Sequence, residues 1–169
     1  MTTDKAAGHA PPPLALEDFF DGPGKAWGLF QDRFSKVRMQ FTADTHGTWD
    51  PKAQRLKLRE SFAYDDGRTE ERTWDIQKQA DGRYTATTQD LVGKAEIRGQ
   101  GNAVNLRYRM MIPIGGRRVP VDFDDWMFRQ DQDVIIDRAD ATKWGLSIGT
   151  LTIVFQRTPA EAGDRKAAE

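Results

Sequence analysis

The sequence predicts an all-β fold: an antiparallel up-and-down meander closed into a barrel of about 8–10 strands, preceded by a short N-terminal helix. Three observations predict it. Between Lys25 and Arg157, apolar and polar residues alternate with the period of two expected of half-buried strands. Turn signals built on glycine, asparagine and aspartate recur every roughly 8–15 residues. The hairpins implied by those turns also have registers that agree with one another. Closing such a meander removes the exposed sheet edges that would otherwise pair with other chains, which favours a barrel over an open sheet.

The ends of the chain differ from its middle. Residues 1–13 are small, polar and proline-rich and read as a disordered tail, as does "TPAEAGDRKAAE" over 158–169. "LALEDFF" at 14–20 suits a short helical turn with one apolar side, and "DGPG" ends it. One domain, 14–157, remains, long enough to bury a single core. The net charge of −1 gives no global field toward nucleic acid or anionic lipid. The absence of cysteine removes disulfides, thiolate nucleophiles and cysteine zinc sites. No apolar run approaches the roughly 20 residues of a membrane span, and the first residues lack a signal-peptide core. A soluble, cytoplasmic protein is expected.

The turns set registers. In "YDDGRT", a three-residue loop at Asp65-Asp66-Gly67 places Leu58 opposite Trp74 and Leu56 opposite Ile76, all on one face. A two-residue loop would mix apolar and charged residues on each face. The same register sets Glu60 opposite Arg72 on the apolar face. A Gly101-Asn102 turn pairs Ile97 with Leu106. Gly115-Gly116 pairs Tyr108 with Phe123, Arg109 with Asp122 and Arg107 with Asp124. Pro113 and Pro120 lie in this last hairpin, where a proline cannot donate to a central ladder.

"VDFDDWMFRQ" at 121–130 sets three aspartates among large apolar groups. Asp122 and Asp124 fall on the polar face as ordinary cross-strand partners of Arg109 and Arg107. Asp125 projects inward with Phe123 and Met127. A turn centred on Asp131-Gln132 brings Arg138 opposite Asp125 and Ile136 opposite Met127. The next turn adds Asp140 and Thr142 to the interior, beside Leu151, Ile153 and Phe155. The expected ligand-facing set is therefore Arg138, Asp125, Asp140, Arg72, Glu60, Tyr108 and Thr142. Trp126, Phe128 and Ile135 project outward and form an apolar patch. Either "LALEDFF" covers it or it is a partner or dimer surface.

The segments "AWGLFQDRF", "GTWD", "FAYDDG", "FDDWMF" and "DRADATKWG" resemble an uncharacterised bacterial family, a domain of unknown function with many small lipoproteins among its members. The resemblance runs from about Leu14 to Arg157 and implies a lipocalin-like barrel. It implies no activity and no catalytic residues. This chain lacks the lipobox cysteine of such lipoproteins, so envelope attachment is not expected.

Catalytic and metal chemistry find little in the sequence. His9 and His46 are too isolated for a zinc site or a serine triad. Asp125 and Asp140 on neighbouring strands are the candidate acid–base pair, but an adjacent Arg138 would keep both ionised. Asp122 and Asp124 neutralise Arg107 and Arg109, so nucleic-acid binding has no basis. The expected function is binding of a small, partly apolar, anionic ligand in the interior without cofactor or catalysis, with Arg138 and Arg72 as anchors. The alternatives are a filled barrel acting as an interaction module and a carboxylate enzyme using Asp125 or Asp140.

Overall fold

The computed structural model describes residues 10–159. The tails expected at 1–13 and 158–169 lie largely outside the described residues. Helix α1 (Leu16–Phe20) leads into ten strands: β1 (Gly22–Asp32), β2 (Val37–Asp50), β3 (Arg55–Tyr64), β4 (Thr69–Lys78), β5 (Tyr84–Thr87), β6 (Leu91–Gln100), β7 (Ala103–Ile114), β8 (Arg117–Arg129), β9 (Val134–Lys143) and β10 (Leu146–Arg157). Each strand pairs antiparallel with its neighbours in sequence, and β1 closes the barrel on β10 from Gly24↔Arg157 to Asp32↔Gly149. The expected meander is the observed fold.

Most hairpins keep the registers read from their turns. Leu58↔Trp74, Glu60↔Arg72, Ile97↔Leu106, Tyr108↔Phe123 and Arg107↔Asp124 all pair as expected. The prolines are accommodated because the β7–β8 hairpin runs past its neighbours. Met111↔Pro120 and Pro113↔Arg118 lie beyond the pairing of β7 with β6 and of β8 with β9, so no ladder needs their missing donors.

The β8–β9 hairpin differs by one residue. Asp125 pairs with Ala139 and Met127 with Asp137. The loop is longer than two residues because the Asp131 carboxylate accepts the backbone N–H groups of Asp133 and Val134, at 2.8 and 2.9 Å. That Asx-type turn adds a residue, and a slip of one residue sends every side chain of β9 to the other face. At the next hairpin, Thr142↔Ser147 pairs as expected. A bulge before Gly149 then moves Asp140 opposite Thr150 rather than Gly149.

Helix α1 plugs one end of the barrel instead of covering the outer patch. Leu14, Leu16, Phe19 and Phe20 are all buried, each contributing about 1.5–3 kcal/mol on the usual scale for such side chains. Phe20 stands edge-on to Phe155 at 5.3 Å. Gly47 on β2 permits the approach, since a Cβ there would lie 1.8 Å from the Phe20 carbonyl oxygen. Glu17 is tied to Lys78 and accepts a 2.5 Å hydrogen bond from the Tyr84 hydroxyl.

Arg129 fastens the plug from the opposite wall. Its guanidinium donates to the carbonyls of Pro13, Asp131 and Gln132 and to the Asp18 carboxylate at 2.7–3.1 Å. It also lies 5.5 Å from the centre of the Phe19 ring and is 2 % exposed. The core therefore fills the α1 end. Burial falls with distance from it: Leu56, Leu58 and Glu60 on β3 are buried, whereas Phe62 and Tyr64 beyond them are only half-buried. On β4, Ile76 is buried and Trp74, Arg72 and Glu70 beyond it are half-buried; on β10, Phe155 is buried and Ile153 and Leu151 are half-buried, whereas Phe41, Met110, Val121 and Ala141 stay buried on the open side.

Candidate functional site in the barrel lumen

Strand periodicity puts charge into the lumen. On β3 the inward series is Leu56, Leu58, Glu60, Phe62, Tyr64, so Glu60 takes its place within an apolar row. On β8 the inward residues include Asp125 and Arg129, and on β9 they are Ile135, Asp137, Ala139 and Ala141. Going round the barrel, β3 and β8 are five strands apart in either direction, so Glu60 and Asp125 approach from opposite walls. Glu60, Asp125 and Asp137 are 6, 5 and 1 % exposed.

The three carboxyls and Tyr108 form one electrostatic unit. The Tyr108 hydroxyl donates to Asp125 Oδ2 at 3.3 Å, and Asp125 and Asp137 are hydrogen-bonded to each other. Burial, then the charge of Asp125, pushes Asp137 well above the carboxylate range, so it keeps its proton and is the donor. Burial raises Asp125 to about 6 against the hydrogen bonds from Asp137 and Tyr108. Burial also pushes Glu60 up to about 7, although Arg72 and Trp74 pull it down. Burial and the nearby acids lift the Tyr108 phenol well above its ordinary range, so it stays a neutral donor. Asp125 Oδ1 and Asp137 Oδ1 are buried without a conventional donor. A proton held between the two carboxyls is the local way to satisfy them.

Arg72 lies above this unit at the open end. It is bonded to Glu70 at 2.6 Å and to the Gln89 carbonyl at 2.8 Å, with Asp90 at 4.0 Å. It thus registers opposite Glu60 as expected, but its ion-pair partner is Glu70. Tyr64 adds a hydrogen bond to Glu70 at 2.9 Å. Aromatic side chains surround this end: Phe41, Phe62 and Tyr64 on one side, Trp74, Tyr108 and Phe123 on the other.

Four expected positions are corrected. Arg138, Asp140 and Thr142 are not in the lumen. The longer β8–β9 loop turns them outward, where Arg138 is exposed beside Trp126 and Asp140 is within 3.3 Å of the Thr150 hydroxyl. Ile135 moves the other way and is fully buried, leaving Ile136 on the outside. Of the expected lumen set, Glu60, Arg72, Tyr108 and Asp125 are brought together. Asp137 and Arg129 were missed. The period of two on β8, continued from Asp125 through Met127, would have pointed Arg129 inward.

The outer wall carries the apolar patch. Trp126 and Phe128 stack with ring centres 6.0 Å apart. Phe128↔Ile136, Ile136↔Val154 and Val154↔Trp27 continue it as a row across β8, β9, β10 and β1. Trp27 borders an open groove of about 620 Å³ floored by Leu29, Thr42, Ala63, Thr152 and Val154. Asp122 and Asp124 are surface residues, with Arg109 at 2.7 Å and Arg107 at 3.7 Å, as expected from their register. Among the described residues, no group of three or more His, Asp or Glu is arranged to hold a metal ion, and no helix is long and apolar enough to cross a membrane.

Residues 2–157 match the family described as "Protein of unknown function (DUF3833)", and the chain belongs to it. No curated protein matches in sequence. Among solved structures, the S-type phycobiliprotein lyase CPES from Guillardia theta is similar with a TM-score of 0.62 and 10 % identity, over 88 % of this chain and 95 % of that one. A protein of unknown function from the DUF3598 family of Nostoc punctiforme gives a TM-score of 0.60 and 12 % identity, over 90 % of this chain and 53 % of that one. At these identities the likeness is one of fold: a closed, lipocalin-like barrel.

Proposed function

We propose that this DUF3833 chain is a one-mouthed cup that holds a small, partly apolar ligand in its lumen without chemical turnover. The observation that carries the reading is the contrast between the ends: α1 and Arg129 seal one, while toward the other Phe62, Tyr64, Trp74, Tyr108, Phe123 and Leu151 are half-buried, although Phe41, Met110 and Val121 among them are covered. A ten-stranded barrel is wider than the eight-stranded kind that side chains can just fill, and mouths of barrels are common ligand sites. The aromatic ring of the mouth supplies apolar contact, and the buried carboxyls below it supply polarity. A carboxylate enzyme is less well supported, since Asp140 lies outside and Asp125 already receives two hydrogen bonds.

Leu151 is inward and half-buried on the open side of β10. Leu151→Trp should obstruct the lumen and weaken binding of the neutral dye Nile red by about tenfold or more, equivalent to roughly 1.4 kcal/mol. Fluorescence titration of both proteins, with a thermal melt to confirm folding, checks this. A folded Leu151→Trp with unchanged affinity would place the dye elsewhere and remove the cup reading.

A second reading is favoured by the outer row. Trp27, Trp126, Phe128 and Ile136 are each about two-fifths exposed and contiguous in register. Apolar patches of this kind on a barrel wall serve as contact surfaces, and a second copy of the chain is the proposed occupant. Sedimentation velocity should then show a concentration-dependent dimer that Trp27→Asp abolishes. A wild-type protein that stays monomeric at high concentration rejects it.

A further inference from the structure

Among the described residues, the middle of the lumen holds three buried carboxyls and a single guanidinium near them, Arg72, in register opposite Glu60. Among the described residues, Glu60, Asp125 and Asp137 form no ion pair with a lysine or arginine. The nearest guanidinium, Arg72, is already held by Glu70 and the Gln89 carbonyl at the rim. This reverses the ligand charge expected when Arg138 was placed inside. An anionic head group would meet three carboxyls there. A cation would meet partners whose charged forms are otherwise disfavoured by burial.

Two buried oxygens narrow the chemistry. Asp125 Oδ1 and Asp137 Oδ1 have no conventional donor, although both side chains are more than nine-tenths buried. Their register neighbours are aliphatic: Asp125 lies between Leu106 and Ala139, and Asp137 between Met127 and Ile153. No neighbouring side chain in those pairs can donate a hydrogen bond to either oxygen. Apart from the proton the two acids share, a donor for these oxygens would enter from the lumen, attached to an apolar body that packs on the aliphatic and aromatic wall.

We infer that the ligand carries a protonated nitrogen, such as a primary ammonium, whose N–H groups dock on Asp125 and Asp137 with Glu60 facing them across the lumen. This rests on the cup reading and specifies its ligand class. Without ligand, the aspartate pair keeps a proton between its oxygens. When the ammonium docks, that proton leaves to solvent and the nitrogen donates in its place. No bond is made or broken other than to hydrogen. The other charged or titratable groups facing this level are Tyr108, a donor to Asp125, and Glu70, Arg72 and Tyr64 at the rim. Asp124 acts on Asp125 from the outer face.

The test compares three dansyl probes on the full chain: dansylcadaverine, which ends in a primary amine, its neutral N-acetyl derivative, and 11-(dansylamino)undecanoate, which ends in a carboxylate. The amine is expected to bind tightest. Its affinity should rise by up to about tenfold per pH unit between roughly pH 5 and 7 as the displaced proton becomes easier to lose, while the acetylated probe stays flat. The Asp125→Asn/Asp137→Asn double variant, which removes buried charge and is expected to fold, should lose the amine preference and retain the neutral probe. Circular dichroism and a melt establish that it is folded. Equal affinity for amine and acetylated probe overturns the inference, as does an amine preference that survives in the double variant. Neither result touches the cup reading, which stands or falls on Nile red binding and its loss in Leu151→Trp.

Discussion

Arg129→Met is expected to lower the free energy of unfolding by about 3–5 kcal/mol, the range for removing one member of a buried, charge-assisted network. The guanidinium is almost wholly enclosed, and four acceptors converge on it. Methionine has similar length but no donor, so the carbonyls of Pro13, Asp131 and Gln132 lose their bonds in a setting where each unsatisfied group is costly. Asp18 itself can re-solvate, since its side chain is 60 % exposed. Asp18→Asn should therefore cost far less, and the contrast separates the guanidinium's several anchors from the single ion pair. Because α1 is fixed by this residue, the variant should also expose Phe19 and Phe20. Urea denaturation gives the energies, and hydrogen exchange at Phe19 and Phe20 follows the plug. A loss no greater than about 1 kcal/mol would mean that packing of α1 alone closes the barrel.

How far the lumen could be read from the sequence turns on one loop. Where a turn has a glycine at a defined place, as at Gly67, Gly101 and Gly115-Gly116, the register follows and the faces are assigned correctly. Those turns put Glu60, Arg72, Tyr108 and Asp125 inside. "QDQD" has no glycine, and its length depends on whether the Asp131 side chain caps the backbone, a contact that spacing does not reveal. The composition of β9 held a usable clue. Its odd residues, Ile135, Asp137, Ala139 and Ala141, contain one polar group, whereas its even residues, Ile136, Arg138, Asp140 and Thr142, contain three. The odd face is the better inner face by simple polarity, at the price of one buried acid. A two-residue turn centred on Asp131-Gln132 selects the even face instead and sets Arg138 opposite Asp125. The plug was hidden for another reason: a five-residue helix has too little pattern to say which surface it seeks.

Stability is expected to fall as pH rises from about 4 to about 7.5, and Glu60→Gln should remove much of that slope. Burial raises Glu60 from an ordinary 4.5 to about 7, so the folded state binds this proton more tightly than the unfolded chain. The sign follows from linkage. The favourable contribution is complete below the unfolded value, and it is lost as pH rises through about 7, where the folded protein must ionise a buried acid. At about 1.4 kcal/mol per tenfold change in proton affinity, Glu60 alone accounts for about 3 kcal/mol. Asp125, raised to about 6, acts in the same direction, and with Asp137 it titrates as a pair rather than as two independent groups. The exposed acids held below their usual range, such as Asp66 and Asp81, act in the opposite direction, but they are screened and already ionised above about pH 4. Glutamine keeps the shape and hydrogen-bonding capacity of Glu60 without the charge, so Glu60→Gln should be more stable than the parent near pH 8 by up to about 3 kcal/mol and nearly equal to it near pH 4. Urea unfolding of both proteins across this range measures the difference directly. A parent whose stability is flat from about pH 5 to 8, or a variant with the same slope, would mean that water reaches Glu60 freely and that the carboxyls are not held in a low-dielectric lumen. A protein that gives up stability to keep three acids inside an otherwise apolar cup is best explained by an occupant that needs them, because apolar residues of similar size would have filled the same space at lower cost.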